Sequence, residues 1–158
     1  MNTEQQHQQI IEQFYTAFQQ LDANGMTAHY DDDVVFEDPV FGRLRGKRAV
    51  GGMWRMLIDR GKNSLKINFH DVVGTATGGQ ATWEADYLFG KKSRPVHNVI
   101  HARFVISDGR IIKHSDQFNF QRWAGMSIGT TGKILSFTPF FRNKIRKNAR
   151  AALEKYTR

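Results

Sequence analysis

The chain contains no cysteine. Disulfide scaffolds, thiol nucleophiles and thiolate metal centres are therefore excluded. Long apolar runs are missing as well. The longest stretch without Asp, Glu, Lys or Arg, Val72 to Trp83, has twelve residues, against the roughly 20 that a membrane-spanning helix needs. The opening MNTEQQHQQIIEQ has neither the basic start nor the apolar centre of a secretory leader. The expected localisation is cytoplasmic. Proline is scarce, three in 158 residues, while glycine, at 14, is ordinary, so neither a collagen-like nor a low-complexity chain is indicated. A chain of this length usually forms one domain.

Aromatic residues, by contrast, are plentiful: 12 Phe, 4 Tyr and 3 Trp. They suffice for a large core or a roomy apolar pocket. The formal charge is +8, but residues 139–158 hold seven basic residues and a single acid, Glu154, so six of the eight charges sit in the last twenty residues. Basicity is thus a property of one terminal segment, and no aromatic platform is interleaved with it. Nucleic acid is not expected as a partner.

Periodicity divides the chain in two. Ile10, Ile11, Phe14, Phe18 and Leu21 recur at helical spacing, and Asp22-Ala23-Asn24-Gly25 offers a stop. A short helix over Met26 to Tyr30 leads into the apolar run Val34-Val35-Phe36, closed by Asp38-Pro39, where a strand should end at or near a sheet edge. Gly46 to Arg60 reads as a third helix, with Val50, Met53, Trp54 and Leu57 on one face. After Gly61 the period becomes two. The runs Leu65–Val73, Gln80–Phe89, Pro95–Ser107 and Arg110–Phe120 are separated by turn residues, and such short connections imply an antiparallel meander. The fold class is α+β.

Parity assigns the faces. In the last run Ile112, His114, Asp116, Phe118 and Phe120 share the more apolar face. Val96, Asn98, Ile100, Ala102, Phe104 and Ile106 do so in the run before it. Trp83, Ala85, Tyr87 and Phe89 lie together, opposite Glu84 and Asp86. An apolar inner face broken by a few ionisable groups suggests a ligand cavity. Asp116 among apolar neighbours loses hydration, a condition that suits acid/base work near neutral pH. The bland alternative is a carboxylate held by a backbone N–H or by Arg103. His114 is two residues away, about 6.5–7 Å along a strand, too far for a direct hydrogen bond but able to address the same substrate. Asp38 is explained either by an Asx-type turn or by catalysis. No three ligands stand at metal spacing, and neither a metal nor a cofactor is expected.

Helix, helix, strand, helix and four antiparallel strands resemble the cone-shaped α+β barrel of the nuclear transport factor 2-like superfamily. That group includes ketosteroid isomerases, SnoaL-type polyketide cyclases and limonene epoxide hydrolase. YDDDVVFEDPVFG, residues 30–42, is similar to the strand that bears the isomerase base, which implies that role for Asp38. DGRIIKHSDQFNFQRW, residues 108–123, is similar to the closing strand of SnoaL-like and epoxide-hydrolase-like members, which implies a catalytic Asp116. GKILSFTPFFRNKIRKNARAALEKY resembles the C-terminal extension of a bacterial SnoaL-like subgroup. The isomerase oxyanion donors are not matched: Phe14 stands at the tyrosine position, with Tyr15 beside it, and Ile100 at the aspartic acid position. Nor is there an arginine beside Glu84 and Asp86 to complete the epoxide-hydrolase set.

The resemblance implies a SnoaL-like domain over residues 1–123, with an extension over 124–158 in the same globular unit. Its expected ligand is a small apolar molecule in an internal pocket lined by Tyr15, Trp54, Trp83, Tyr87, Asn98 and Phe118. Its chemistry would be cofactor-independent isomerisation, cyclisation or hydration by Asp116, His114 and Asp38. The alternative is a non-catalytic ligand-binding or protein-interaction scaffold. A homodimer is expected through the outer sheet face that carries His97, Val99 and His101. In the extension Phe141, Ile145, Ala149, Ala152 and Tyr156 recur at helical spacing after Thr138-Pro139. Docking of that helix on the barrel, burying Phe140 and Phe141 and leaving a solvated cationic face, is favoured over contact with an anionic membrane surface.

Overall fold

Asn2 opens the first helix with a reciprocal cap. Its side chain accepts from the Gln5 N–H at 2.8 Å, and the Gln5 side chain accepts from the Asn2 N–H at 3.0 Å. The computed structural model describes residues 1–157. Helix α1 (Thr3–Gln19) turns Ile11, Phe14, Tyr15 and Phe18 into the core. Its stop is not the expected glycine. Leu21 takes the left-handed conformation (φ 55°), and Asp22 then caps α2 (Ala23–Thr27), in which Gly25 is an interior residue. The second helix therefore lies three residues earlier than expected, and Tyr30 opens a strand.

Strand β1 (Tyr30–Asp38) forms a hairpin with β2 (Gly42–Arg45), a strand absent from the periodicity because it is only four residues long. Helix α3 (Lys47–Gly61) follows, burying Val50, Met53, Trp54, Met56 and Ile58. Then come β3 (Lys66–Gly74), β4 (Gly78–Phe89), β5 (Arg94–Ser107) and β6 (Arg110–Gln117). The turn at Asp108-Gly109 has both residues at positive φ, 50° and 74°, the geometry that joins strands through two residues.

The sheet order is β2-β1-β6-β5-β4-β3. All pairings are antiparallel except β1 with β6, which is parallel. The sheet curls strongly but does not close, and β2 and β3 are its two edges. Pro39 accordingly lies in the turn to an edge strand, not on the edge of the sheet itself. The fold is α+β of the cone-shaped kind expected, with α1 on β3 and β4, and α3 on β1.

Two features of the closing strand differ from the parity reading. Val105 pairs with Lys113 while Ile106 pairs with Ile111, so Ile112 is the extra residue of a β-bulge. Ile111 is therefore fully buried, and Ile112 is 37% exposed. From His114 onward the expected face points inward. The strand also ends at Gln117, because Asn119 accepts from the Arg122 N–H at 2.9 Å and caps helix α4 (Phe120–Ile128).

After α5 (Thr130–Leu135), helix α6 (Pro139–Thr157) starts with proline in its first turn and lies against α3. Leu153 is buried there, with Ala149, Ala152 and Tyr156 partly buried. Phe140 is 81% exposed, contrary to the docked position expected for it. It follows Pro139 directly, on the face turned away from α3. No helix among the described residues is long and apolar enough to cross a membrane.

Candidate functional site

The wide interior of the cone is organised by one chain of buried polar groups. Trp54 comes from α3, Tyr30 from β1, His114 and Asp116 from β6, and Trp83 from β4. The Trp54 indole N–H donates to the Tyr30 hydroxyl oxygen at 2.8 Å. An indole cannot accept, so the Tyr30 O–H is turned to the second contact and donates to His114 Nδ1 at 2.8 Å. His114 then carries its proton on Nε2 and donates to Asp116 Oδ1 at 2.9 Å. The Trp83 indole N–H reaches the same oxygen at 3.4 Å.

The direct His114–Asp116 contact corrects the expectation that alternate residues of a strand are too far apart. Both side chains lean along the strand and span the backbone separation. Arg103 does not hold Asp116; it is exposed on the opposite face. Around His114 the space is occupied by rings. Phe104 stacks on it at 4.3 Å between centroids, and Phe36, Phe14 and Trp54 surround it at 5.1, 5.6 and 6.0 Å. Asp116 is 2% exposed and faces the interior, as parity required.

Tyr15, stacked on Phe69 and tilted against Trp83, brings a hydroxyl into this interior. That hydroxyl is buried and has no hydrogen-bond partner among the described residues. Burial, and secondarily the charge of Asp116, hold its pKa well above that of an ordinary tyrosine. It is an unspent donor.

Asp38 lies at the end of β1 where the cone opens. Its Oδ1 accepts from the Val40 N–H at 2.9 Å and the Phe41 N–H at 2.6 Å, the Asx-type turn anticipated for Asp-Pro. Oδ2 makes no hydrogen bond among the described residues. Burial pushes the carboxyl up from 3.8 to about 7; the charge of Asp116 adds to this, while the two backbone N–H groups and Arg146 oppose it. The Tyr87 hydroxyl accepts from the Trp123 indole N–H at 2.9 Å, and its pKa is raised by burial and by the charge of Asp38. Asn98 is buried on β5, and Phe118, half-buried, packs beside Trp123.

A cleft of about 460 Å³ opens at this end, lined by Asp38, Phe118, Phe120, Arg142 and Arg146 among others. A second, of about 390 Å³, involves His97, Val99, His101 and Gln117 on the outer side of the sheet. Neither is lined by His114 or Asp116. On that outer side His70 bonds Asp71 and Glu84, at 2.9 and 3.0 Å, and His97 bonds Asp86 and Glu84, at 2.7 and 3.2 Å. Asp71 first, and then Glu84, raises the His70 pKa. Among the described residues no group of three or more His, Asp or Glu side chains is placed to hold a metal ion.

The profile of the SnoaL-like domain matches residues 11–114. The chain belongs to the SnoaL-like domain family. Solved structures share the fold at low sequence identity. An epoxide hydrolase of the limonene-epoxide-hydrolase-like type from M. tuberculosis is 20% identical, with a TM-score of 0.65, covering 87% of this chain and 99% of its own. A proposed polyketide cyclase from Xanthomonas campestris pv. campestris is 20% identical, with a TM-score of 0.64 and coverages of 79% and 98%. A proposed isomerase from Bacillus subtilis is 18% identical, with a TM-score of 0.66 and coverages of 82% and 98%. No curated protein sequence matches.

Within this SnoaL-like fold the residues expected at the site fall into two groups, apart from Asn98, which borders the second cleft. His114, Asp116, Trp54, Trp83 and Tyr15 meet in the ring-packed interior. Asp38, Tyr87 and Phe118 gather at the open end, and the charge of Asp116 reaches Asp38 from within. Sequence reasoning missed Tyr30, which had been placed in a helix although it shares even parity with Val34 and Phe36. It also missed Trp123, Arg142 and Arg146. Only the Asn119 cap offered a local signal for α4, and nothing local tied the arginines of α6 to the cleft.

Proposed function

We propose that this SnoaL-like protein binds a small, largely apolar molecule at the open end of its cone and carries out cofactor-independent acid/base chemistry on it. The reaction class is isomerisation, cyclisation or addition of water. The observation that supports this is Asp38: a carboxyl whose pKa is about 7, at a cleft of about 460 Å³. Such a group both accepts and returns a proton near neutral pH, the condition for efficient general acid/base catalysis. Its Oδ1 is anchored by two backbone N–H groups, which leaves Oδ2 to work.

Asp116 has the supporting role. Its Oδ1 is committed to His114 and Trp83, and its negative charge favours the protonated form of Asp38. Trp54, Tyr30 and His114 fix that carboxylate in place through one directed chain of donors. The Tyr15 hydroxyl is the donor available to a group that reaches further into the cone.

A second reading, a non-catalytic ligand-binding scaffold, is favoured by the rings that fill the space around His114. One experiment separates the two. The protein is incubated in D2O with a panel of cyclic enones, poly-β-ketones and epoxides, and deuterium or water incorporation is read by mass spectrometry. Incorporation by the wild type, lost in Asp38→Asn, supports catalysis. Binding without incorporation across the panel supports the scaffold.

A further inference from the structure

The cleft beside Asp38 is roofed by the C-terminal helix, and the roof is cationic. Arg150 donates from Nε to the Phe41 carbonyl and from Nη2 to the Arg43 carbonyl, both at 2.8 Å, which ties α6 to the β1–β2 turn. Arg142 donates from Nε to the Ser136 carbonyl at 2.6 Å, and its guanidinium lies 5.1 Å over the Phe120 ring. Arg146 runs along Gly42, where a Cβ would stand 2.8 Å from its Nε. The cationic face of α6 is therefore only partly solvated, since these three arginines turn back over the fold.

The charges in the cleft do not balance. Five ionisable side chains line it: Glu37, Asp38, Arg43, Arg142 and Arg146. Glu37 and Arg43 pair with each other at 2.5 Å. Among the described residues Arg142 and Arg146 form no ion pair, and the Arg146 Nε is buried without any hydrogen-bond partner. The remaining acid, Asp38, holds its proton to about pH 7. A buried donor without an acceptor is uncommon in folded proteins. Two guanidiniums beside an apolar wall of Phe118 and Phe120 describe what should fill the space.

We propose that the molecule bound here carries an oxyanion group, a carboxylate or a phosphate, which Arg146 and Arg142 hold while its apolar body lies on Phe118 and Phe120. Guanidinium forks match either oxyanion. This inference rests on the placement of the ligand at the open end of the cone and adds the polar group by which it is selected. The oxyanion also fixes which end of the molecule meets Asp38.

The test uses the full chain and three probes of one shape: phenylacetate, phenyl phosphate and the neutral phenylacetamide. Affinities are measured by isothermal titration at low salt and pH 6, where Asp38 keeps its proton, for the wild type, Arg146→Met and Arg146→Lys. At least one anion should bind saturably, and the amide should bind tenfold or more weaker. Arg146→Met should lose tenfold or more for the anion alone, with Arg146→Lys in between. The stronger of the two anions identifies carboxylate or phosphate as the preferred group.

Equal binding of amide and anions, anion binding unaffected by Arg146→Met, or no saturable binding of either anion at millimolar concentration overturns the proposal. Thermal melts of the two variants at the wild-type temperature establish that the fold is intact; if Arg146→Met melts lower, the Arg146→Lys affinity decides. The outcome is separable from catalysis. Arg146-dependent anion binding in a protein inert in D2O leaves the subsite standing and removes the acid/base reading, and the reverse result removes only the subsite.

Discussion

Replacing Asp38 by Asn should change the pH dependence of stability while leaving the turn intact. The amide oxygen of Asn still accepts from the Val40 and Phe41 N–H groups that Asp38 Oδ1 now serves. What disappears is the titration. The carboxyl rises from its ordinary 3.8 to about 7 in the fold, so the native state binds the extra proton through the whole interval between those values. Stability then falls as pH rises from 4 to 7 and levels off above 7. At roughly 1.4 kcal/mol per pKa unit, the full displacement corresponds to an upper bound of about 4 kcal/mol. Residual solvent contact at the mouth of the cone reduces this to about 1–3 kcal/mol. The assay is urea denaturation of wild type and Asp38→Asn at half-unit steps from pH 4 to 8.5. Groups not coupled to Asp38 titrate alike in both proteins and cancel in the difference, and Tyr87, which its charge raises further, ionises above this range. The variant should gain on the wild type by that amount between pH 4 and 7, with no further gain above. A flat difference curve, or one that favours the wild type as pH rises, would refute the reasoning.

Tyr30→Phe strands both the Trp54 N–H and His114 Nδ1, which the hydroxyl now serves. It should cost about 2–4 kcal/mol in urea denaturation. Tyr15→Phe removes a hydroxyl that has no partner among the described residues, so the same assay should show stability unchanged or up to about 1 kcal/mol higher. Glu84→Gln should lower the His70 pKa, read by NMR titration of the imidazole, because Glu84 is one of the two carboxylates that raise it. A chain ended at Phe137 loses α6 and with it the buried Leu153. Burial of that side chain is worth about 1.5–3 kcal/mol, and the melting temperature should fall by roughly 3–12 °C.

Much of this molecule is written in local pattern. Alternation in β4, β5 and the second half of β6 turned Trp83, Asn98, His114 and Asp116 inward, because side-chain direction in a strand depends only on parity. The 3.6-residue period located α1 and α3, and Asp-Pro announced the turn that holds Asp38. Parity failed at Ile112, where a bulge that arises from pairing with β5 inserted one residue and exchanged its face with that of Ile111. The short strand β2 was invisible because four residues carry no period.

The site itself is a product of tertiary structure. Only the parallel pairing of β1 with β6 brings Tyr30 to His114, 84 residues away, and so directs the proton chain that ends on Asp116. Desolvation, which sets the titration of Asp38, is a property of everything packed around a group and not of its neighbours in sequence. The same holds for the basic tail. Its composition marked an amphipathic cationic helix, but docking on α3 and the hydrogen bonds of Arg150 to the Phe41 and Arg43 carbonyls decided that Arg142 and Arg146 face a cleft. Periodicity sorts residues to faces of an element; which faces meet, and what charge they leave unbalanced, depends on contacts between segments more than a hundred residues apart.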